Sequence, residues 1–227
     1  MTPKPSLCLI ALALLLPALA SPAPKVHVVG LGAPHREPYS AAGDPAGAQK
    51  EETTLRVRPL VVDGKVKEWT TGEVHDITDR TFAVRRAVHL NDALPTDRGV
   101  RWVWQRGPWL LIDRTSGKVA QLRLPDFDPA VSDVMWFRDD AAYCGVSASG
   151  RQLLAVVAQV AARKPLLAAK LGSWDAGDHR NPACMLAVWQ RQPLRVTFQP
   201  AGAAAVSFDL VGTSAVLVEE DADENNP

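Results

Sequence analysis

The sequence predicts a mainly β chain of twisted antiparallel sheets, arranged as a sandwich or barrel. Three observations carry this. "LVVDGKVKEW" places Asp63-Gly64 between Val-rich arms, the strongest short hairpin signal. "WLLIDRTSGKVAQLRL" and "AAYCGVSASGRQLLAVV" repeat a two-armed plan around Ser116-Gly117 and Ser149-Gly150. In "LRVTFQPAGAAAVSFDL", Leu194, Val196 and Phe198 alternate with polar residues, as do Val206, Phe208 and Leu210. Strict period two is the pattern of half-buried antiparallel strands.

The chain opens with a targeting segment, residues 1–20. Lys4 precedes an apolar run from Leu7 to Leu16, then Pro17 and the small-residue site Ala18-Leu19-Ala20. That order reads as a cleaved secretory signal peptide, because the apolar run is too short to span a bilayer as an anchor. No later stretch approaches about 18 continuous apolar residues, so the mature chain is expected to be exported without a transmembrane segment, periplasmic or secreted. The 25 basic and 25 acidic side chains balance, and loss of Lys4 leaves one net negative charge. Such a chain lacks the long-range field that draws polyanions, which argues against nucleic acid as a partner. Of three cysteines, Cys8 leaves with the signal, so Cys144 and Cys184 remain. In an oxidising compartment they are expected to pair as a disulfide. A zinc site adding His179 lacks the paired ligand spacing that zinc requires.

Residues 21–52 read as one strand, "KVHVV" at 25–29, followed by a flexible connection rich in Gly, Pro and Ala. Residues 53–218 form a single β-rich domain, and 219–227 form a disordered acidic tail with no residue able to dock it. Within the domain, "TFAVRRAVHL" puts Phe82, Val84, Val88 and Leu90 on one face, interrupted by Arg86. "RQLLAVVAQVAARKPLLAAKL" is rich in helix formers, yet Pro165 and the turn before it favour a strand through Val160 and a short second one after the proline.

"VWQRGP" at 103–108 returns as "VWQRQP" at 188–193, an offset of 85 residues. In extended chain Trp102, Trp104 and Arg106 share one side, and Trp189 and Arg191 share the matching side of the second copy. Pro108 and Pro193 end the copies and point to an edge or bend, each followed by a hairpin. The offset is therefore read as the repeat length of a two-hairpin unit. A guanidinium over an indole seals a core edge; the same pair could serve as an aromatic platform for a sugar ring or peptide, with Arg as polar anchor.

Catalytic signatures are scarce. "HDITD" offers His75, Asp76 and Asp79 as an outside candidate for a divalent metal or a general base, against a capping turn built on Thr78. Asp126 and Asp128 in "PDFDP" are too few for a calcium loop, and read as a turn. "RDD" at 138–140 reads as an exposed turn before the Tyr143 strand. No serine lies in a G-x-S-x-G elbow, and Pro34 denies "VVGLGAPH" the helix a phosphate loop needs. No cofactor is implied.

The stretches "RVRPLVVDGKVKEW", "HDITDRTFAVRRAVHLND", "WVWQRGPWLLIDRTSGKVAQLRLPDFDP" and "AYCGVSASGRQLLAVVAQ" resemble a set of uncharacterised exported bacterial proteins over roughly residues 53–218. No functional residue carries over from that set. The hairpins "IDRTSGKVAQL" and "YCGVSASGRQLLAVV" look like outer strands of β-propeller blades. A chain with room for about three such blades implies an incomplete propeller-like arrangement beside the sandwich or barrel. The functional expectation is a non-enzymatic binding or structural module of the cell envelope, meeting an unknown protein or glycan through Trp102, Trp104, Arg106, Trp189 and Arg191. The alternative is an exported metal-assisted hydrolase at His75, Asp76 and Asp79.

Overall fold

The computed structural model describes residues 27–40, 54–175 and 183–218. The predicted leader, most of the predicted connection, His179 and the acidic tail lie outside the described residues.

Every described element is a strand, and all strand pairs are antiparallel. The first sheet contains β1 (Val29–Leu31), β2 (His35–Pro38), β3 (Thr54–Val62), β4 (Lys65–Asp76), β5 (Thr81–Asn91), β6 (Trp102–Asp113) and β7 (Val119–Gln121). Its order is β1-β3-β4-β5-β6-β7, with β2 also on β3. The second sheet is a meander of β8 (Met135–Phe137), β9 (Asp140–Val146), β10 (Gln152–Gln159) and β11 (Leu167–Ser173). The third is another, β12 (Val188–Gln190), β13 (Arg195–Phe198), β14 (Val206–Val211) and β15 (Ser214–Val218). None closes into a barrel, and the architecture is sandwich-like or that of an incomplete propeller.

The local chemistry explains the turns. Asp63 and Gly64 both take positive φ, 51° and 75°, as a two-residue hairpin between right-twisted strands requires. Asp and Gly are the residues that tolerate it. The 151–171 segment resolves as β10 and β11, as Pro165 foretells.

Two expectations need correction. Residues 30–40, composed like a connection, carry β1 and β2, both paired with β3. Tyr39 then bridges to Trp104 and Ser40 N–H donates to the Trp104 carbonyl, so this segment crosses from β3 to β6 as the first sheet curls. Pro108 marks a bend and not an edge: β6 is interior, and Gly107-Pro108 lie where its register with β5 shifts. A bulge is where a strand interior accommodates a residue without an N–H. The even-numbered face of β5 runs on past the bulge, whose extra residue lies in β6: Phe82 and Val84 are buried and Val88 and Leu90 half-buried, while Ala87 on the other face joins the Leu55, Val57 and Trp104 cluster.

The middle sheet is buried on both faces. Ala141, Tyr143, Val156 and Ala158 pack toward the first sheet's Trp109 side through Leu124, Phe127, Val134 and Trp136. Ala142, Cys144, Ala155 and Val157 pack against Val196, Phe198, Phe208 and Leu210 of the third sheet. A strand covered on both faces needs a continuous apolar run, which "AAYCGV" supplies. A Cβ on Gly145 would lie 2.6 Å from the Asp126 carbonyl oxygen, so the loop 124–134 can press onto β9. The Cys144–Cys184 disulfide, with 6.1 Å between Cα atoms, ties β9 to the chain entering the third sheet.

One cation holds this stack together. Arg85 is 2% exposed. Its guanidinium donates to the carbonyls of Gly107 (3.3 Å), Pro129 (2.8 Å) and Ser132 (3.2 Å), and pairs with Asp133. Ser132 Oγ donates in turn to the Cys144 carbonyl at 2.7 Å, and Tyr143 Oη to the Pro125 carbonyl at 2.6 Å. The loop joining the first and second sheets is thus pinned from both sides.

Candidate functional site

The two copies of the tryptophan phrase lie in different settings. The first lies in interior strand β6 of the first sheet; the second spans edge strand β12 and the connection to β13. The five residues therefore form two sites.

On β6, the register places Trp104 opposite His89 and Trp102 opposite Asn91. His89 stacks on Trp104, ring centroids 4.6 Å apart and planes 16° from parallel, and lies 5.0 Å from Trp102. Trp69 meets the edge of Trp104 at 5.5 Å, and His35 meets Trp69 at 6.4 Å. Five rings from four strands so form one continuous ribbon. Trp102 is 54% exposed, whereas Trp104 is 8% exposed and belongs to the core. Arg106 lies 5.3 Å over Tyr39, a cation–π contact that seals the place where Tyr39 bridges to β6. The sequence marks Trp102, Trp104 and Arg106. His89, Trp69, His35 and Tyr39 enter only through strand register, although the β5–β6 pairing makes His89 readable once that register is known.

The second copy contributes to a different place. Trp189 is half-buried, donates its indole N–H to the Met135 carbonyl at 3.0 Å and packs 5.4 Å from Phe137. It links the third sheet to β8. Arg191 is exposed and lies 5.9 Å from the Phe137 ring centre, while Arg138 lies 5.2 Å from the same ring. A cavity of about 620 Å³ opens here, walled by His75, Trp136 and Phe137 and by Arg138, Arg191 and Gln192. His75 stacks on Trp136 at 5.0 Å and 9°, and its Nε2–H donates to the Arg138 carbonyl at 2.6 Å. A similar cavity of about 630 Å³, beside Leu122, Leu124 and Ala162, has no aromatic wall.

His75, Asp76 and Asp79 do not converge. Neighbours in a strand point to opposite faces, and the partners follow suit: His75 goes to Arg138 and Trp136, while Asp76 pairs with Arg114 at 2.6 Å. Arg114 also reaches the Asp79 carbonyl oxygen at 3.5 Å. Thr78 Oγ1 accepts the N–H of Arg80 and of Thr81, so the segment is the capping turn between β4 and β5. Arg80 grips Asp113 with two nitrogens, and that ion pair, joined by backbone donors at Ser116 and Thr115, holds the Asp113 carboxyl well below its ordinary range. Among the described residues no group of three His, Cys, Asp or Glu is placed to hold a metal.

"RDD" is more than an exposed turn. Arg138 takes φ 55° and carries a guanidinium to the cavity; Asp139 accepts from Gln159 at 3.0 Å. Asp140 is partly buried with one carboxylate oxygen lacking any hydrogen-bond partner. Burial, then the neighbouring Asp139 charge, push its carboxyl up to about 6 against the opposing pull of Arg138.

No protein-family model, curated protein or solved structure matches the chain significantly.

Proposed function

We propose that the protein is an exported, non-enzymatic binding module of the cell envelope that recognises a protein or glycan through the ring ribbon on β6. The observation that carries the reading is Trp102, 54% exposed beside exposed His89, with Trp104 and Trp69 fixed beneath. Large exposed indoles on a rigid strand supply contact area at little entropic cost, which is how aromatic platforms bind sugar rings and peptides. The Cys144–Cys184 bridge, and the absence among the described residues of any helix long and apolar enough to cross a membrane, are compatible with export. The dispersal of His75, Asp76 and Asp79 leaves the metal-assisted hydrolase without a geometric centre.

The test uses Trp102, because replacing core residue Trp104 or interlayer residue Trp189 would damage the fold itself. Immobilised full-length protein and its Trp102→Ala variant are compared for capture of purified cell-envelope polysaccharide and of envelope protein. The reading expects capture of one of these by the parent, reduced about tenfold in the variant at unchanged thermal stability. Equal capture by both proteins, or none by the parent, contradicts it.

A further inference from the structure

The cavity holding Arg191 owes nothing to the β6 ribbon. Each sheet contributes one part: His75 at the end of β4, Trp136 to Arg138 at the β8–β9 turn, and Arg191 with Gln192 between β12 and β13. Chain segments of all three sheets face this one space.

Its charge arrangement is unusual. Arg138 and Arg191 both lie within 6 Å of the Phe137 ring centre, so their guanidinium carbons are within about 11 Å of each other. Neither makes an ion pair with a described residue. Of the nearby acids, Asp139 accepts from Gln159, and partly buried Asp140 feels the Arg138 charge without forming an ion pair with it. Two like charges gathered around one ring repel, and an anion between them relieves that repulsion. The Arg138 backbone is also positioned in advance. It sits in the left-handed region, and its carbonyl is held by His75, itself stacked on Trp136.

The remaining wall is His75, Trp136, Phe137, Leu194 and Gln192, and the cavity has a volume in the range of small-ligand sites. Guanidinium forks match a carboxylate in plane, two parallel bonds to two oxygens. The rings and Leu194 give apolar contact to the C–H groups of a sugar, and Gln192 can bond hydroxyls. We propose that this three-sheet junction is a binding site for an acidic sugar, a pyranose ring bearing one carboxylate, with Arg138 and Arg191 as the carboxylate-binding residues.

The experiment is calorimetric titration of the full-length protein at low ionic strength with a glucuronate-containing disaccharide, its neutral glucose counterpart and inorganic phosphate. The proposal expects the uronate to bind at least about tenfold more tightly than either control. Arg138→Gln and Arg191→Gln should each weaken uronate binding by about tenfold or more and leave thermal stability within experimental error, since both side chains are exposed. Trp102→Ala should leave uronate binding unchanged, which separates this site from the β6 ribbon. Equal binding of uronate and neutral disaccharide overturns the proposal, as do folded arginine variants with parental affinity. Phosphate binding as tightly as the uronate, with the same loss in the variants, overturns the sugar assignment.

Discussion

Arg85 and Arg86 are adjacent and chemically alike, yet the fold treats them in opposite ways. Arg86 is half-buried and pairs with Glu68 at 2.9 Å. Arg85 is enclosed, and its removal leaves the carbonyls of Gly107, Pro129 and Ser132 without their donor. Arg85→Ala should therefore cost about 3 kcal/mol in denaturant unfolding, against under about 1 kcal/mol for Arg86→Ala. Equal losses would show that Arg85 is not the clamp. Asp140 makes a prediction of opposite sign. Its carboxyl titrates near 6 when folded and near 4 when unfolded. Between those values the folded state binds more protons, so stability falls as pH rises from 4 to 6 and the penalty persists above. Asp140→Asn should raise stability at pH 7.5 by about 1–2 kcal/mol, allowing for solvent screening, and confer nothing near pH 4. Thermal melts of both proteins at the two pH values check it.

Among the elements, β6 shows how much a strand's period reveals and where it stops. The alternation that puts Trp102 and Trp104 on one face is present, and Trp102→Ala should cost under about 1 kcal/mol while Trp104→Ala costs about 3–5 kcal/mol, because only the second empties a core position. Comparable costs in chemical denaturation would mean the ribbon is buried throughout. The hairpins at Asp63-Gly64, Ser116-Gly117 and Ser149-Gly150 were legible because turn residues need particular backbone angles. The bulge at Gly107-Pro108, opposite Arg86, was legible only as the edge or bend that Pro108 signals, since an extra residue inside a strand leaves the local composition unchanged while exchanging its faces. β1 and β2 were obscured for a related reason. Edge strands are short and carry Gly and Pro, and these are paired by β3, from the far side of residues 41–53. The site suffered likewise: Trp102 and Arg191 stood out by their repeated phrase, but His89, Trp136 and Arg138 acquire meaning only from register and from the meeting of separate sheets.

For the molecule as a whole, three sheets stacked through a middle one leave that middle sheet dependent on both neighbours. The disulfide secures one of those contacts by closing a 40-residue loop between Cys144 and Cys184. Replacing both cysteines by alanine should lower stability by about 4 kcal/mol, chiefly through a less constrained unfolded chain. A loss below about 1 kcal/mol would show that sheet packing alone sets the third sheet's position. The rigid stack also presents its chemistry at separate places: the β6 ribbon on the first sheet, and the arginine cavity where all three sheets contribute. The measurement that bears most directly on recognition through β6 is the affinity of the full-length protein for the captured envelope component, for the parent, Trp102→Ala and a Val216→Ala control. Val216 is an exposed apolar residue on β15, in the third sheet. The account predicts about a tenfold loss for Trp102→Ala and none for Val216→Ala; equal affinities for all three would contradict it.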